Sequence, residues 1–131
     1  MVIYAPALCP KCGAVFRSDV AIAEPPWIIP TYRAIGGVCG RCGTRGRIPD
    51  WVYRFHAIAS DCRREASDSQ RRAQVLALTL HLRRHRTAKR TTEFLRGLSG
   101  PWRNLGPQFR GMSNVQRRAQ LTFLLWILDE N

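Results

Sequence analysis

Apolar residues occur in short clusters over the first third of the chain and in denser, leucine-rich runs after residue 62. Residues 2–5 are apolar and residues 14–17 are mostly so, which predicts a strand for each. Residues 31–38 predict a weaker strand, and the aromatic-rich residues 51–55 predict a further one. The first third therefore indicates a small sheet of short strands.

Proline interrupts these strands. Residues 24–30 contain three prolines, which lack backbone donors, so we expect an extended loop. Its Trp27 and Ile28 are expected to fold down beside the zinc site that the cysteines of this region predict. Residues 46–50 predict a turn. Six of the eight prolines lie before residue 51, so this region buries little apolar surface and needs another source of folding free energy.

A helical pattern begins after Cys62. Ser67 and Gln70 have the spacing of a capping box, in which each side chain bonds the backbone N–H of the other residue. The following residues are rich in alanine, leucine, glutamine and arginine, which predicts a helix over about 70–90. A strand is the alternative, because apolar side chains also alternate, at Leu76, Leu78, Leu80 and Leu82.

The last third continues this pattern. A short helix is predicted to follow Thr91 or Thr92, and residues 102–112 are expected to be irregular. Residues 113–116 repeat the capping-box spacing and open a final helix through about residue 128. Apolar side chains surround much of that helix, which predicts burial against the earlier helix or another copy: Phe123, Leu124, Trp126, Ile127 and Leu128.

Two identical Cys-x-x-Cys-Gly sequences, at residues 9–13 and 39–43, carry the clearest chemical signal. A two-residue spacer lets both thiolates of one pair reach the same metal, and the glycine suits the positive-φ turn that follows. One such pair could be a redox motif, whereas two predict one structural zinc ion. Its expected ligands are Cys9, Cys12, Cys39 and Cys42, and four thiolates leave no open position for catalytic water.

A disulfide-bonded secreted domain is the alternative to a zinc protein. A fifth cysteine, Cys62, leaves an odd number, and residues 1–8 lack the basic start and apolar run of a signal peptide. Both observations favour zinc and a reducing cytoplasm. The longest apolar stretch, residues 121–128, is far shorter than the roughly twenty residues of a membrane span, so no transmembrane helix is expected.

These features resemble a group of small zinc-ribbon proteins from bacteria and phages. The likeness covers the two cysteine sequences and residues 48–55, Ile-Pro-Asp-Trp-Val-Tyr-Arg-Phe, with a loose likeness in the basic helices beyond. Trp51 stands where that pattern usually has glycine. The resemblance implies the metal site and a bacterial or phage origin, and it implies no enzyme activity.

Positive charge is concentrated in the second half of the chain. The formal net charge is +12; residues 1–50 carry six basic and three acidic side chains, a net of +3. Residues 71–118 carry twelve basic side chains against Glu93 alone, a net of +11. This concentration favours a polyanionic partner, namely nucleic acid, an anionic membrane surface or an acidic protein, over an ordinary solvated face.

Nine basic side chains are the predicted nucleic-acid contacts, since guanidinium groups suit phosphate oxygens. They are Arg71, Arg72, Arg83, Arg84, Arg86, Lys89, Arg90, Arg117 and Arg118. Trp102 and Phe109, each followed by arginine, could stack on unpaired bases, but packing in the helical core is favoured. His81 and His85 lack a third ligand at helical spacing, which favours solvated or phosphate-facing histidines over a second metal site.

Catalysis is not expected. Cys62 lies between Asp61 and Arg63 without an evident catalytic base, so a small buried cysteine is the favoured interpretation. The nine acidic residues form no DxD or ExxE cluster for two-metal phosphoryl chemistry.

We therefore predict an α+β protein, with an N-terminal Cys₄ zinc ribbon of short antiparallel strands over residues 1–58 and a basic segment of two or three helices over 59–131. The predicted function is non-enzymatic binding of DNA or RNA, mainly through the phosphate backbone, by an accessory or regulatory factor. The alternative is a phage- or defence-associated adaptor or inhibitor. It would dock a protein partner, or self-associate, through its basic surface and apolar C-terminal helix.

Overall fold

The computed structural model describes residues 3–22, 35–84, 105 and 107–129. The chain divides into two compact units, residues 1–53 and 54–131, and the division lies in the first turn of a helix. Over the described residues the first part is a sheet of four antiparallel strands, and three helices follow it. The predicted α+β fold class is confirmed.

The sheet belongs to the first unit, which we call the ribbon. Its order is β2-β1-β4-β3, and every pairing is antiparallel. Leu8, at the end of β1, lies opposite both Val15 and Arg47, so this position joins the two halves of the sheet. The strands are β1 (Ile3–Leu8), β2 (Val15–Ile22), β3 (Ile35–Val38) and β4 (Arg45–Arg47).

The second unit, which we call the helical unit, contains most of α1 (Val52–Glu65), all of α2 (Asp68–Arg84) and all of α3 (Asn114–Asp129). The capping box that opens α2 is confirmed. The Ser67 N–H donates to Gln70 Oε1 over 2.9 Å, and the Gln70 N–H donates to Ser67 Oγ over 3.1 Å. None of the three described helices is long and apolar enough to cross a membrane.

Two predicted elements are wrong. Residues 51–55 are not a strand, because α1 begins at Val52. Residues 46–50 are not simply a turn, because β4 continues to Arg47. The helix prevails in the first case since Phe55, Ala59 and Cys62, at helical spacing, are all buried on one face. Burial outweighs the strand preference of aromatic residues.

Aromatic rings fill the centre of the helical unit. The ring centroids of Phe55 and Phe109 are 5.7 Å apart with the rings nearly perpendicular, and those of Phe55 and Phe123 are 5.9 Å apart. His56 stacks on Phe123 at 6.1 Å. The prediction that Phe109 packs in the helical core is confirmed, since only 4% of the residue is exposed.

The helices α2 and α3 run antiparallel. Arg71, near the start of α2, donates from Nη1 to the carbonyl of Leu128, near the end of α3, over 3.0 Å. Arg118, near the start of α3, donates from Nη1 to the carbonyl of Leu82, near the end of α2, also over 3.0 Å. Each arginine thus satisfies a carbonyl in the last turn of the neighbouring helix.

Several predictions fall outside the described residues. They concern the loop over 24–30 with Trp27 and Ile28, the helix after Thr91 or Thr92, the end of the helix predicted to reach residue 90, and the side chains of His85 and Trp102.

Candidate metal centre

Two turns of matching geometry present the four predicted cysteine ligands. In the first, the Cys9 N–H donates to the Ala14 carbonyl and the Gly13 N–H to the Cys9 carbonyl, both over 2.9 Å. In the second turn, the corresponding bonds are Cys39 N–H to Thr44 carbonyl at 2.8 Å and Gly43 N–H to Cys39 carbonyl at 2.9 Å. The glycine of each turn has a φ of 73°, which a side chain disfavours.

The four sulfur atoms converge, and all lie within 4.8 Å of one another. The Sγ atoms of Cys9 and Cys42 are 3.3 Å apart, those of Cys12 and Cys39 are 3.6 Å apart, and those of Cys12 and Cys42 are 3.8 Å apart. Over the described residues this is the one group of three or more potential ligands that could hold a metal ion.

These distances fit a tetrahedral metal site. Metal–sulfur bonds of about 2.3 Å separate the sulfurs of a tetrahedron by about 3.8 Å. A disulfide requires about 2.05 Å, and all five cysteines are free thiols. The Cys12 N–H also lies 3.5 Å from Cys9 Sγ, the kind of contact that orients and stabilises a thiolate ligand.

The site has an inner and an outer pair of cysteines. Cys9 and Cys39, the first cysteine of each turn, are each 2% exposed, whereas Cys12 is exposed and Cys42 is half-buried. The candidate metal position therefore lies at the edge of the ribbon, where two of the four cysteines are buried.

The two outer thiols differ in acidity. Hydrogen bonds from the Thr44 side chain and backbone, and from the neighbouring cysteines, lower the pKa of Cys42 to about 6. The pKa of Cys12 is raised to about 11, because the backbone of Ala14 lowers it less than Cys9, the other thiols and burial together raise it. Backbone N–H groups of Arg41 and Cys42 lower the pKa of Cys39.

Thr44 is a residue that sequence reasoning missed. Its hydroxyl lies 3.3 Å from Cys42 Sγ and stabilises the thiolate when it donates its proton. The first turn has Ala14 at the matching position, directly after its glycine. The sequence already shows this difference, because threonine and alanine occupy the matching position of the two cysteine turns.

A glycine and an aromatic ring bring the two halves of the sheet together. Phe16 of β2 lies over Ala7 of β1 and reaches Gly46 of β4. A Cβ at Gly46 would lie 2.8 Å from Phe16 Cε1 and 3.2 Å from Ala7 Cβ, so this position admits no side chain without movement.

The nine predicted nucleic-acid contacts fall into three groups. Arg71, Arg117 and Arg118 each donate to a backbone carbonyl within the helical unit; for Arg117 the acceptor is Phe109 at 3.1 Å. Arg72, Arg83 and Arg84 form the second group and are exposed, as Arg118 of the first group also is. The remaining three, Arg86, Lys89 and Arg90, lie outside the described residues.

The two other candidate chemical residues within the described part of the chain, His81 and Cys62, are buried. His81 is 6% exposed, so the prediction of a solvated histidine is wrong at this position. Cys62 is 3% exposed, and burial raises the pKa of its thiol, as does the nearby Glu65 carboxylate. The predicted role of Cys62 as a small buried residue agrees with this position.

No protein-family model, curated protein or solved structure matches the chain. The case for a metal site therefore depends on the geometry of its own four cysteines.

Proposed function

We propose that this chain is a non-enzymatic zinc-ribbon protein that binds nucleic acid, mainly at the phosphate backbone, as an accessory or regulatory factor. The observation that supports this most strongly is the net charge of +11 over residues 71–118. Arg83 and Arg84 are exposed on α2, where guanidinium groups can reach phosphates.

Zinc is the metal that we propose for the four cysteines. It favours tetrahedral thiolate coordination without redox chemistry, and a closed set of four ligands serves folding and not catalysis. Iron can occupy the same donor set. Elemental analysis of the purified protein together with its visible spectrum separates the two, because an iron–thiolate centre is coloured and a zinc centre is colourless.

A non-enzymatic function agrees with the surroundings of Cys62. Its thiol is buried and its pKa is raised, both of which disfavour the reactive thiolate. The Ser60 hydroxyl lies 3.3 Å from His56 Nε2, and the other ring nitrogen, Nδ1, is buried without a hydrogen-bond partner among the described residues. Within the part of the chain that the structure describes, this serine–histidine pair has no third group of the kind that orients a catalytic histidine.

Fluorescence anisotropy tests the proposal on the metal-loaded, full-length protein. Labelled single- and double-stranded DNA and RNA should bind at micromolar concentrations or below, with affinity falling steeply from about 50 to 300 mM salt. Poly-glutamate of equal charge serves as the control. Absence of nucleic-acid binding at the lowest salt would overturn the proposal, and equal binding of poly-glutamate would favour an acidic protein partner.

Protein interaction is a second candidate function, favoured by an exposed apolar face on α2. Leu76 is 63% exposed and Leu80 is 38% exposed, one turn apart. The C-terminal helix α3 has less apolar surface available to a partner, because Leu124 and Ile127 are only 2% and 0% exposed within the chain itself. This candidate predicts that light scattering will detect a dimer whose population rises with protein concentration. The double variant Leu76→Gln, Leu80→Gln should abolish the dimer. A monomer at all concentrations counts against self-association.

A further inference from the structure

The antiparallel helices α2 and α3 form a pair whose two ends carry different charges. One end, which we call the mixed end, combines Arg71 and Arg72 of α2 with two carboxylates, Asp68 of α2 and Asp129 of α3, for a formal net charge of zero. All four residues line a cleft of about 310 Å³, together with Val75 and Leu128.

The opposite end, which we call the basic end, contains Arg83 and Arg84 of α2 and Arg117 and Arg118 of α3, a formal charge of +4. No acidic residue lies close in sequence to either arginine pair, since Glu93 is the one acidic residue between positions 69 and 128. Glu93 itself lies outside the described residues.

A second cleft lies at the basic end. Its volume is about 400 Å³, and it is lined by Arg83, Arg118, Thr79 and two apolar residues. The apolar pair is Leu82 and Leu125. Phosphate oxygens match the charged groups of such a cleft, and the methylene groups of a sugar match the apolar ones.

One arginine of this cleft is held in place. Arg118 donates through Nη1 to the Leu82 carbonyl, which fixes the side chain and leaves its other N–H donors for an anion. Fixing the side chain before binding reduces the entropy lost when the phosphate arrives. Arg83, across the cleft, is exposed and supplies the second charge.

We propose that the cleft at the basic end, between Arg83 and Arg118, is the principal phosphate-binding site for the nucleic-acid backbone, and that the mixed end contributes little. This inference rests on the proposed nucleic-acid function and narrows it. At the mixed end the two carboxylates repel a phosphate and offset the charge of the neighbouring arginines, so its cleft attracts a phosphate less than the basic-end cleft, although two arginines line each cleft.

The test compares Arg83→Gln with Arg72→Gln in the full-length, metal-loaded protein. Both residues are exposed on α2, and each variant removes one positive charge, so the net charge of the two proteins is identical. For Arg83→Gln we expect about a tenfold loss of affinity for a labelled oligonucleotide and a salt slope smaller by about one. Arg72→Gln, at the mixed end, should lower the affinity and the salt slope clearly less than Arg83→Gln does. Helical circular dichroism should be the same for both variants.

A structural readout accompanies the affinities. Titration with a short oligonucleotide should shift the backbone NMR signals of Thr79, Arg83 and Arg118 more than those of Asp68 and Asp129. Equal losses from the two variants, or a larger loss from Arg72→Gln, would overturn the localised site while the nucleic-acid function stands. Absence of binding by the unmodified protein would instead overturn the proposed function.

Discussion

The ribbon and the helical unit have very different interiors. Among the largest fully buried side chains of the described residues, nine belong to the helical unit, and the ribbon contributes Pro6 and Val52. The buried positions of β1 and β4 are mostly small, with Ala5, Ala7 and Gly46 prominent. Phe55 and Phe123, in contrast, are fully buried in the helical unit.

This difference shows that one chain uses two means of stabilisation. Burial of large apolar side chains is the dominant favourable term in folding, and the helical unit has it. The ribbon has little of it, and its four cysteines converge where a metal ion could replace the missing core. Changes at the cysteines should therefore act on the ribbon, and changes at the aromatic core should act on the helical unit.

The largest effect is expected from Cys39→Ser. Structural zinc binding contributes roughly 10–16 kcal/mol in zinc-finger peptides, so loss of one buried ligand should abolish metal retention and unfold the sheet. Metal content and the amide NMR signals of β1 to β4 measure this. Cys62→Ala is the control, which should retain the metal because Cys62 lies outside the cluster. An intact sheet in Cys39→Ser would contradict the expectation.

The second largest effect is expected from Phe123→Ala in the helical unit. The ring contacts Phe55 and His56, and Trp126 lies edge-on at 6.3 Å, so its loss leaves a cavity among aromatic side chains. We expect the free energy of unfolding, followed by helical circular dichroism in urea, to fall by about 3–5 kcal/mol. Metal content should not change. Val115→Ala, at an exposed position of the same helix, should cost less than about 0.5 kcal/mol.

A smaller change in the ribbon is expected from Gly46→Ala. The added Cβ would collide with the Phe16 ring, which must move, and we expect a loss of about 1–3 kcal/mol. The matched control is Gly40→Ala, since nothing lies within 4 Å of a Cβ there. Thermal unfolding of the metal-loaded protein should distinguish the two variants; equal melting temperatures would show that Phe16 does not constrain the sheet.

Helix capping should produce a still smaller effect. Ser67→Ala removes the acceptor for the Gln70 N–H at the start of α2, and we expect about 1 kcal/mol less stability in the helical unit. Ser69→Ala, an exposed change within the first turn of the same helix, should cause no loss. If urea unfolding gives both variants the same stability, the capping box makes no net contribution.

The smallest effect concerns pH. Burial lowers the pKa of His56 from its ordinary value of 6.5, so the folded protein binds fewer protons than the unfolded chain below that pH. The stability of the helical unit should be fully present above about pH 6.5 and should fall as the pH drops below it. Urea unfolding of the unmodified protein and of His56→Gln at about pH 7.5 and 5.5 measures this contribution. The same pH dependence in both proteins would assign it to other groups.

Features encoded by short sequence spacing were predictable. The two cysteine turns, the capping box at Ser67 and the start of α3 near Ser113 depend on residues only a few positions apart. Such local hydrogen-bond patterns recur wherever the spacing recurs.

Features that depend on distant neighbours were not predictable. Residues 51–55 look like a strand, and only burial of Phe55 against Phe109 and Phe123 explains the helix. The strand at Arg45–Arg47 requires partners in both β1 and β3. The same limit applies to the arginines. Sequence spacing did not show that Arg71 and Arg118 each donate to a carbonyl of a neighbouring helix.

The most direct test of this account is an NMR comparison of the full-length protein before and after removal of its metal by a chelator under reducing conditions. We predict one metal ion per chain, and loss of dispersed amide signals from residues 3–22 and 35–47 on chelation. Signals from α2 and α3 should persist, because the four expected ligands all lie in the ribbon. A sheet that keeps its signals without metal would contradict the claim that the cysteine cluster stabilises the ribbon.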